Sequence, residues 1–232
     1  KLLMEVYESG NTSSDLFVML SSMARLKQDN ALMRRYLEEG IAKNPDHIPL
    51  LLSMAQLDAN EKQFDNVETG LRKVIDLQPE KIVYRINLAK TYLAQGKKDE
   101  AEETLASALK ANPEDENTRI GVAGFWLAAK DVQKAEEVIS EGIENHPDTF
   151  AYRLFLAELY AKTKRLDESE NTLRQALEIN PDPANPDVIK TKVALAKVLL
   201  IRAKISEGEK LTDEVLENDP KNIDAHFVKG KL

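Results

Sequence analysis

Cysteine is missing from all 232 residues. Its absence removes disulfides, thiolate zinc ligands and a cysteine nucleophile together. It leaves the compartment open, cytoplasmic or bacterial periplasmic and envelope-associated, because a cysteine-free chain suits either redox state. Basic charge is in deficit: 32 Lys and Arg face 40 Asp and Glu, for a formal charge of −8. General binding to nucleic acid needs a basic surface to neutralise phosphates, so no nucleic-acid partner is expected. No apolar run approaches the roughly 20 residues of a membrane span, so no direct membrane insertion is expected of this segment. The opening stretch Lys1–Tyr7 is too short an apolar run for a signal peptide, and it carries Glu5.

Chemistry-bearing motifs are scarce as well. There is no Gly-rich phosphate loop, no GxSxG and no HExxH, so neither a catalytic residue nor a cofactor is expected. The three histidines, His47, His146 and His226, are too dispersed for metal-ligand spacing, and no metal site is expected. Acid pairs such as Glu102–Glu103 and Glu136–Glu137 read as helix starts favoured by the dipole rather than acid–base couples. The 42% apolar content is that of a folded chain.

What is present is a period. Pro45, Pro79, Pro113, Pro147 and Pro181 follow one another at intervals of 34 residues, and Pro186 precedes Pro220 by the same interval. With each such proline at position 32 of a unit, the repeats are 14–47, 48–81, 82–115, 116–149, 150–183 and 189–222, with an insertion at 184–188. Residues 1–13 read as the end of a preceding helix, and 223–232 as the start of a seventh repeat. Neither end carries a polar cap, so a fragment of a longer array is expected. Position 8 is always small: Ser21, Ala55, Ala89, Ala123, Ala157, Ala196 and Gly230. Position 24 is Leu37, Leu71, Leu105, Ile139, Leu173 and Thr212.

Apolar residues at positions 7, 11, 20, 24, 27 and 28 keep three-to-four spacing, which predicts two amphipathic helices per unit. Helix A covers about positions 1–14 and helix B about 17–31. Small residues at 8 and 20 let the two approach closely. Proline at 32 stops helix B, since it lacks an amide hydrogen and disfavours a helical residue before it. The acid that follows is expected to help start the next helix.

Leu88-Ala89, Tyr92, Ala101, Leu105, Ala108 and Pro113 in the third unit, with Leu156-Ala157, Tyr160, Leu173, Ala176 and Pro181 in the fifth, resemble the tetratricopeptide repeat family. The resemblance implies an all-α fold: an α-solenoid, a right-handed superhelix of antiparallel helix pairs, with a concave groove lined by the A helices. It further implies a protein-binding scaffold. Asp58 departs from the pattern, standing where position 11 is apolar, and marks unit two as less well packed or specialised.

By the same resemblance, positions 2, 5, 6, 9, 12 and 13 face the groove. Position 5 is apolar throughout: Val18, Leu52, Ile86, Ile120, Leu154 and Val193. Asn87, Gly121 and Phe155 stand at position 6, and Lys90, Gly124, Glu158 and Lys197 at position 9. Gly121 and Gly124 either make room for Phe125 and Trp126 or form a notch for a ligand backbone. Arg25, Lys90, Lys162, Lys190 and Lys197 outnumber Asp15 and Glu158, a net of +3 that suits an acidic amphipathic partner. Position 5 packing against neighbouring A helices, with nothing bound, is the plainer alternative.

Position 4 carries a basic column, Arg85, Arg119, Arg153 and Lys192, followed by His226. Its stems could pack between helices while the heads meet acids of the preceding helix B, such as Asp76 and Glu144. The alternative is an anion-binding ladder. The reading that results is a non-catalytic scaffold that binds a protein, peptide or amphipathic helix in its groove. The alternatives are an accessory region of a larger enzyme or of an envelope or exopolysaccharide export assembly, whose bacterial arrays the texture of Leu88–Gly96 resembles, and a self-association module.

Overall fold

A computed structural model describes residues 2–231. Among them every regular element is helical: α1 (Leu2–Glu8), α2 (Ser14–Leu26), α3 (Asn30–Lys43), α4 (Ile48–Asn60), α5 (Phe64–Leu77), α6 (Ile82–Ala94), α7 (Lys98–Ala111), α8 (Glu116–Ala128), α9 (Val132–Asn145), α10 (Phe150–Lys162), α11 (Leu166–Leu177), α12 (Pro186–Ile201), α13 (Ile205–Asn218) and α14 (Ile223–Lys229). The helices form two compact units, Lys1–Pro113 and Glu114–Leu232. Within each unit consecutive helices pair and stack, the arrangement of an α-solenoid.

One turn recurs between the helices of each pair. Its middle residue is left-handed at position 15: Gln28, Lys62, Lys130, Lys164 and Ala203 at φ of 58 to 65°, and Gly96 at 76°. The next amide reaches back to the carbonyl of position 11, as in Asp29 to Ala24 at 3.0 Å, Lys97 to Tyr92 at 2.9 Å and Arg165 to Tyr160 at 2.8 Å. This six-to-one bond ends helix A and reverses the chain, so A and B run antiparallel. Only Gly96 occupies the left-handed turn without a Cβ clash.

Helix B ends in the residue before the repeat proline. Asn44, Gln78, Asn112, His146 and Asp219 leave the helix at φ near −135°, with the amide still bonded to position 27. The proline disfavours a helical conformation there. Where a side chain caps the next helix, it comes from position 34 rather than from the acid at 33. Asp115 accepts from the Thr118 amide and Asn222 from the Ala225 amide. Part of the insertion extends a helix: Pro186–Val188 form the first turn of α12, capped by Asn185, which makes α12 16 residues long where α10 has 13.

Position 8 is buried in every unit from Ser21 to Ala196, and so is position 24 from Leu37 to Thr212. In the N-terminal unit Phe17, Leu20, Tyr36, Leu37, Leu50 and Leu57 form one cluster, on which Leu3, Met4 and Tyr7 of α1 pack. Position 27 is matched to position 4. A Cβ at Gly40 would lie 2.6 Å from Phe17 Cβ, and one at Gly142 would strike the Arg119 stem. At these two pairs glycine at position 27 makes room for the position-4 side chain. In the C-terminal unit Leu195, Val198 and Leu199 join Ala157 and Leu173, and a second cluster gathers Val193, Ala196, Val215, Ala225 and Val228.

Candidate functional site

The A helices are held in place by a polar clamp at the joints between repeats. Glu68 at position 21 of one unit accepts from Tyr92 OH, position 11 of the next, at 2.7 Å, and Arg72 reaches both. Glu136 repeats the contact with Tyr160 at 2.7 Å, and Arg165 bonds Glu136 at 2.6 Å while lying over the Tyr160 ring. Burial, followed by the Glu136 bond, pushes the Tyr160 phenol up to about 12. Where position 11 is Leu199, Glu170 takes three cations instead: Arg174 at 2.8 Å, Lys204 at 3.0 Å and Arg202. Burial alone would raise the Glu170 carboxyl, but the bonds from Arg174 and Lys204 hold it below the usual range.

The joint at Asp58 reverses the charges. Asp58 is buried and meets Arg34, again at position 21, at 2.6 Å; Arg34 also holds Glu61 at 2.9 Å. The expectation of looser packing at Asp58 is therefore corrected. The residue is 3% exposed and its charge is partnered.

The basic column does not meet Asp76 or Glu144. Arg85 and Arg153 donate to the carbonyls of Pro79 and Pro147, and His226 Nε2 lies 3.0 Å from that of Pro220. The heads thus cap the bend after the preceding helix B. Arg119 turns into its own pair instead, donating to Val138 O at 3.0 Å and to Glu141, and Lys192 donates to Glu214 at 2.8 Å. The position-4 heads are occupied by the protein itself.

The groove residues fall into separate clefts. In the C-terminal unit a cleft of about 650 Å³ opens between the A helices α10 and α12. It contains seven of the residues expected to face the groove: Ile120, Leu154, Phe155, Glu158, Lys190, Val193 and Lys197. Sequence reasoning named the helix positions of Ala161, Ile201 and Asp224 but not those residues. It missed Ser169 and Leu173, whose helix-B positions signal core; here they form the floor. Val193 is buried, whereas Ile201 at the mouth is 63% exposed. In the N-terminal unit a cleft of about 300 Å³ gathers Leu52, Asn87 and Lys90. Val18 packs beside the N-terminal core cluster, and Ile86 is half-buried outside the cleft. Gly121 is half-buried outside the C-terminal cleft, and so is Gly124, where a Cβ would meet nothing within 4 Å. Crowding therefore does not require glycine at position 124.

The expected basic edge is neutralised around the larger cleft. Lys162 pairs with Glu158 at 2.8 Å, Lys190 with Asp187 at 3.0 Å and Lys197 with Asp224 at 3.0 Å. The lysines alone suggested a basic wall because two of their partners, Asp187 and Asp224, come from the lengthened helix start and from α14. The other candidates for chemistry lie in structural settings. His146 sits 3.6 Å from Glu114, and Trp126 is buried edge-on against Phe125. Among the described residues no metal-ligating cluster occurs and no helix is long and apolar enough to cross a membrane.

A profile for the tetratricopeptide repeat matches residues 61–118 and 127–190, more than half of the chain. Among solved structures, the C-terminal part of a TPR repeat-containing protein from Cytophaga hutchinsonii aligns over 98% of this chain and 92% of its own, at 12% identity and a TM-score of 0.52. YrrB, described as a TPR protein with an unusual peptide-binding site, aligns over 84% of this chain and 97% of its own, at 14% identity and a TM-score of 0.48. MamA from Desulfovibrio magneticus RS-1 aligns over 76% and 97%, at 14% identity and a TM-score of 0.46. No curated protein matches the sequence. The first of these likenesses speaks to the fold alone.

Proposed function

Because this chain belongs to the tetratricopeptide repeat family, whose fold serves as a scaffold for protein–protein interaction, we propose that it is a non-catalytic scaffold that seats a segment of a partner protein in the cleft of its C-terminal unit. One observation carries the reading. Positions 2, 5, 6, 9, 12 and 13 of successive A helices converge on a cleft of about 650 Å³ whose mouth exposes Ile201. A cleft of that size with a largely apolar lining supports docking, because a partner's apolar side chains would exclude water there. The position-4 column, with its heads bonded within the protein, is a structural element in this reading rather than an anion ladder.

The test is capture of the native partner by the chain with Phe155→Glu and Ile201→Glu. Both side chains line the cleft and neither belongs to the buried core, so helical circular dichroism stays unchanged while capture is lost. Capture that survives both substitutions removes the cleft as the docking face.

A further inference from the structure

We propose that the occupant of the C-terminal cleft is one short amphipathic helix of a partner protein, with two or three apolar anchors flanked by balanced rather than acidic charge. This rests on the docking reading above and adds what the occupant is.

The backbone argues for a helix. An extended segment leaves its amides and carbonyls to be satisfied by the walls, and a buried polar group left without a partner costs about 1–3 kcal/mol. Away from its charged rim, where Glu158, Lys190, Lys197 and Asp224 stand, the cleft has little to offer. Most of its lining is Ile120, Leu154, Phe155, Ile189, Val193 and Ile201, with alanines between them. Ser169 Oγ is buried and already bonded to Ala157 O at 2.8 Å, and Asn222 is engaged with Ala225 and Asp219. The walls are helices whose own backbone bonds are internal, so no strand edge is available for an added strand. A helix brings its backbone bonds with it.

Size sets the footprint. A helix about 10 Å across with a 5.4 Å pitch occupies roughly 420 Å³ per turn. The 650 Å³ of the cleft therefore takes about one and a half turns. That length holds apolar residues at i and i+3 or i+4, with i+7, about two turns along, reaching the edge of the cleft.

Charge sets the flanks. Glu158, Asp187 and Asp224 stand against Lys162, Lys190 and Lys197 around this cleft, with every member of the three pairs about half exposed or more. Exposed pairs of this kind contribute about 0–1 kcal/mol each and exchange readily for a partner's charges. A rim of three of each sign gains nothing from a uniformly acidic ligand, because each new lysine contact leaves a carboxylate facing like charge.

The test uses synthetic helical peptides of about 14 residues, the length at which an isolated helix is marginally stable. Each carries Leu at i, i+4 and i+7, with balanced, all-Glu or all-Lys flanks, and a fourth has the balanced composition broken by proline. Fluorescence anisotropy against the whole chain reads the affinity. The balanced peptide is expected to bind, to change less than about threefold between roughly 50 and 500 mM salt, and to lose binding against the Phe155→Glu, Ile201→Glu variant. An all-Glu peptide about tenfold tighter and salt-sensitive overturns the charge assignment, and equal binding of the proline peptide overturns the helix. If no peptide binds while the two substitutions still abolish capture of the native partner, the short-helix occupant is wrong and the docking reading stands. If capture persists in that variant, the docking reading itself fails. A concentration-dependent dimer in sedimentation, lost in the same variant, would assign the cleft to a second copy of this chain and overturn the proposal.

Discussion

The reversed clamp at Asp58 gives a quantitative way to test whether the joints are interchangeable. Two joints pair Glu at position 21 with Tyr at position 11, Glu68 with Tyr92 and Glu136 with Tyr160; one pairs Arg34 with Asp58. Asp58→Ala removes a charge-assisted bond, worth about 1.5–3 kcal/mol. Its side chain is 4% exposed, but Arg34 is 25% exposed and keeps Glu61, so the expected loss is about 2 kcal/mol. Arg34→Glu does more harm. It removes the cation from buried Asp58 and adds a third carboxylate, at a cost of about 3 kcal/mol. Asp58→Tyr alone overfills the joint and costs about 2 kcal/mol. Combined, Arg34→Glu and Asp58→Tyr rebuild the Glu–Tyr clamp, and the double variant should return to within about 1 kcal/mol of the parent, a coupling of about 4 kcal/mol against the 0.5 or so of independent sites. Repeat arrays unfold by neighbouring units rather than as one body, so the urea midpoint alone would under-report the effect. Amide exchange in α3 and α4 should accompany it. Additive losses in the double variant would refute the interchangeable clamp and would make the Asp58 joint a packing solution of its own.

Four further outcomes follow from local features. At position 15, Lys62→Gly should raise stability by up to about 1 kcal/mol and Gly96→Ala should lower it by about as much, since φ is 59° and 76° there; thermal denaturation reads both, and effects of equal sign would contradict the left-handed assignment. Glu68, Glu136 and Glu170 are all held below the ordinary glutamate range. Their folded values lie under the unfolded ones, so this stability is complete above about pH 4.3 and is lost as the pH falls through the lower folded values. Melting temperature should therefore drop on acidification below that point, and Glu170→Gln should flatten the drop. Gly142→Ala, which forces Arg119 aside, should cost about 1–3 kcal/mol. Gly124→Ala meets open space and should gain up to about 1 kcal/mol of helix stability; if it instead weakens partner capture without unfolding, the notch reading of Gly124 is right.

The helices were legible because their signals are local and redundant. Proline at position 32, small residues at 8 and a branched or unbranched apolar residue at 24 each recur at a fixed interval, and each has one geometric consequence. What was less legible depends on pairs. The match between Gly40 and Phe17, and between Gly142 and Arg119, is visible in sequence only once positions 27 and 4 are set side by side. The turn at position 15 carries almost no compositional mark, because Lys, Gln and Ala tolerate the left-handed conformation at a cost the six-to-one bond offsets. Pro186 sits in the first turn of α12, where its missing amide hydrogen goes unused, a place that the 34-residue interval to Pro220 does not reveal.

The site shows the same division more sharply. Which residues face the cleft follows from helix periodicity, so position 5 could be named residue by residue. What the cleft would bind depends on charge, and charge cannot be summed along one helix face. Lys197 reads as an unopposed base along its own helix, yet Asp224 of α14 lies 3.0 Å from it, as Asp187 does from Lys190. A count over groove positions gave +3 because it omitted Asp187 and Asp224, which other helix starts bring to the rim. Long lysine side chains reach a turn or more along and across helices, so the partner's charge is a property of neighbouring repeats taken together. In the proposed docking reading the apolar floor therefore supplies the driving force, and the helix starts that bring Asp187 and Asp224 to the rim set the charge a partner would meet.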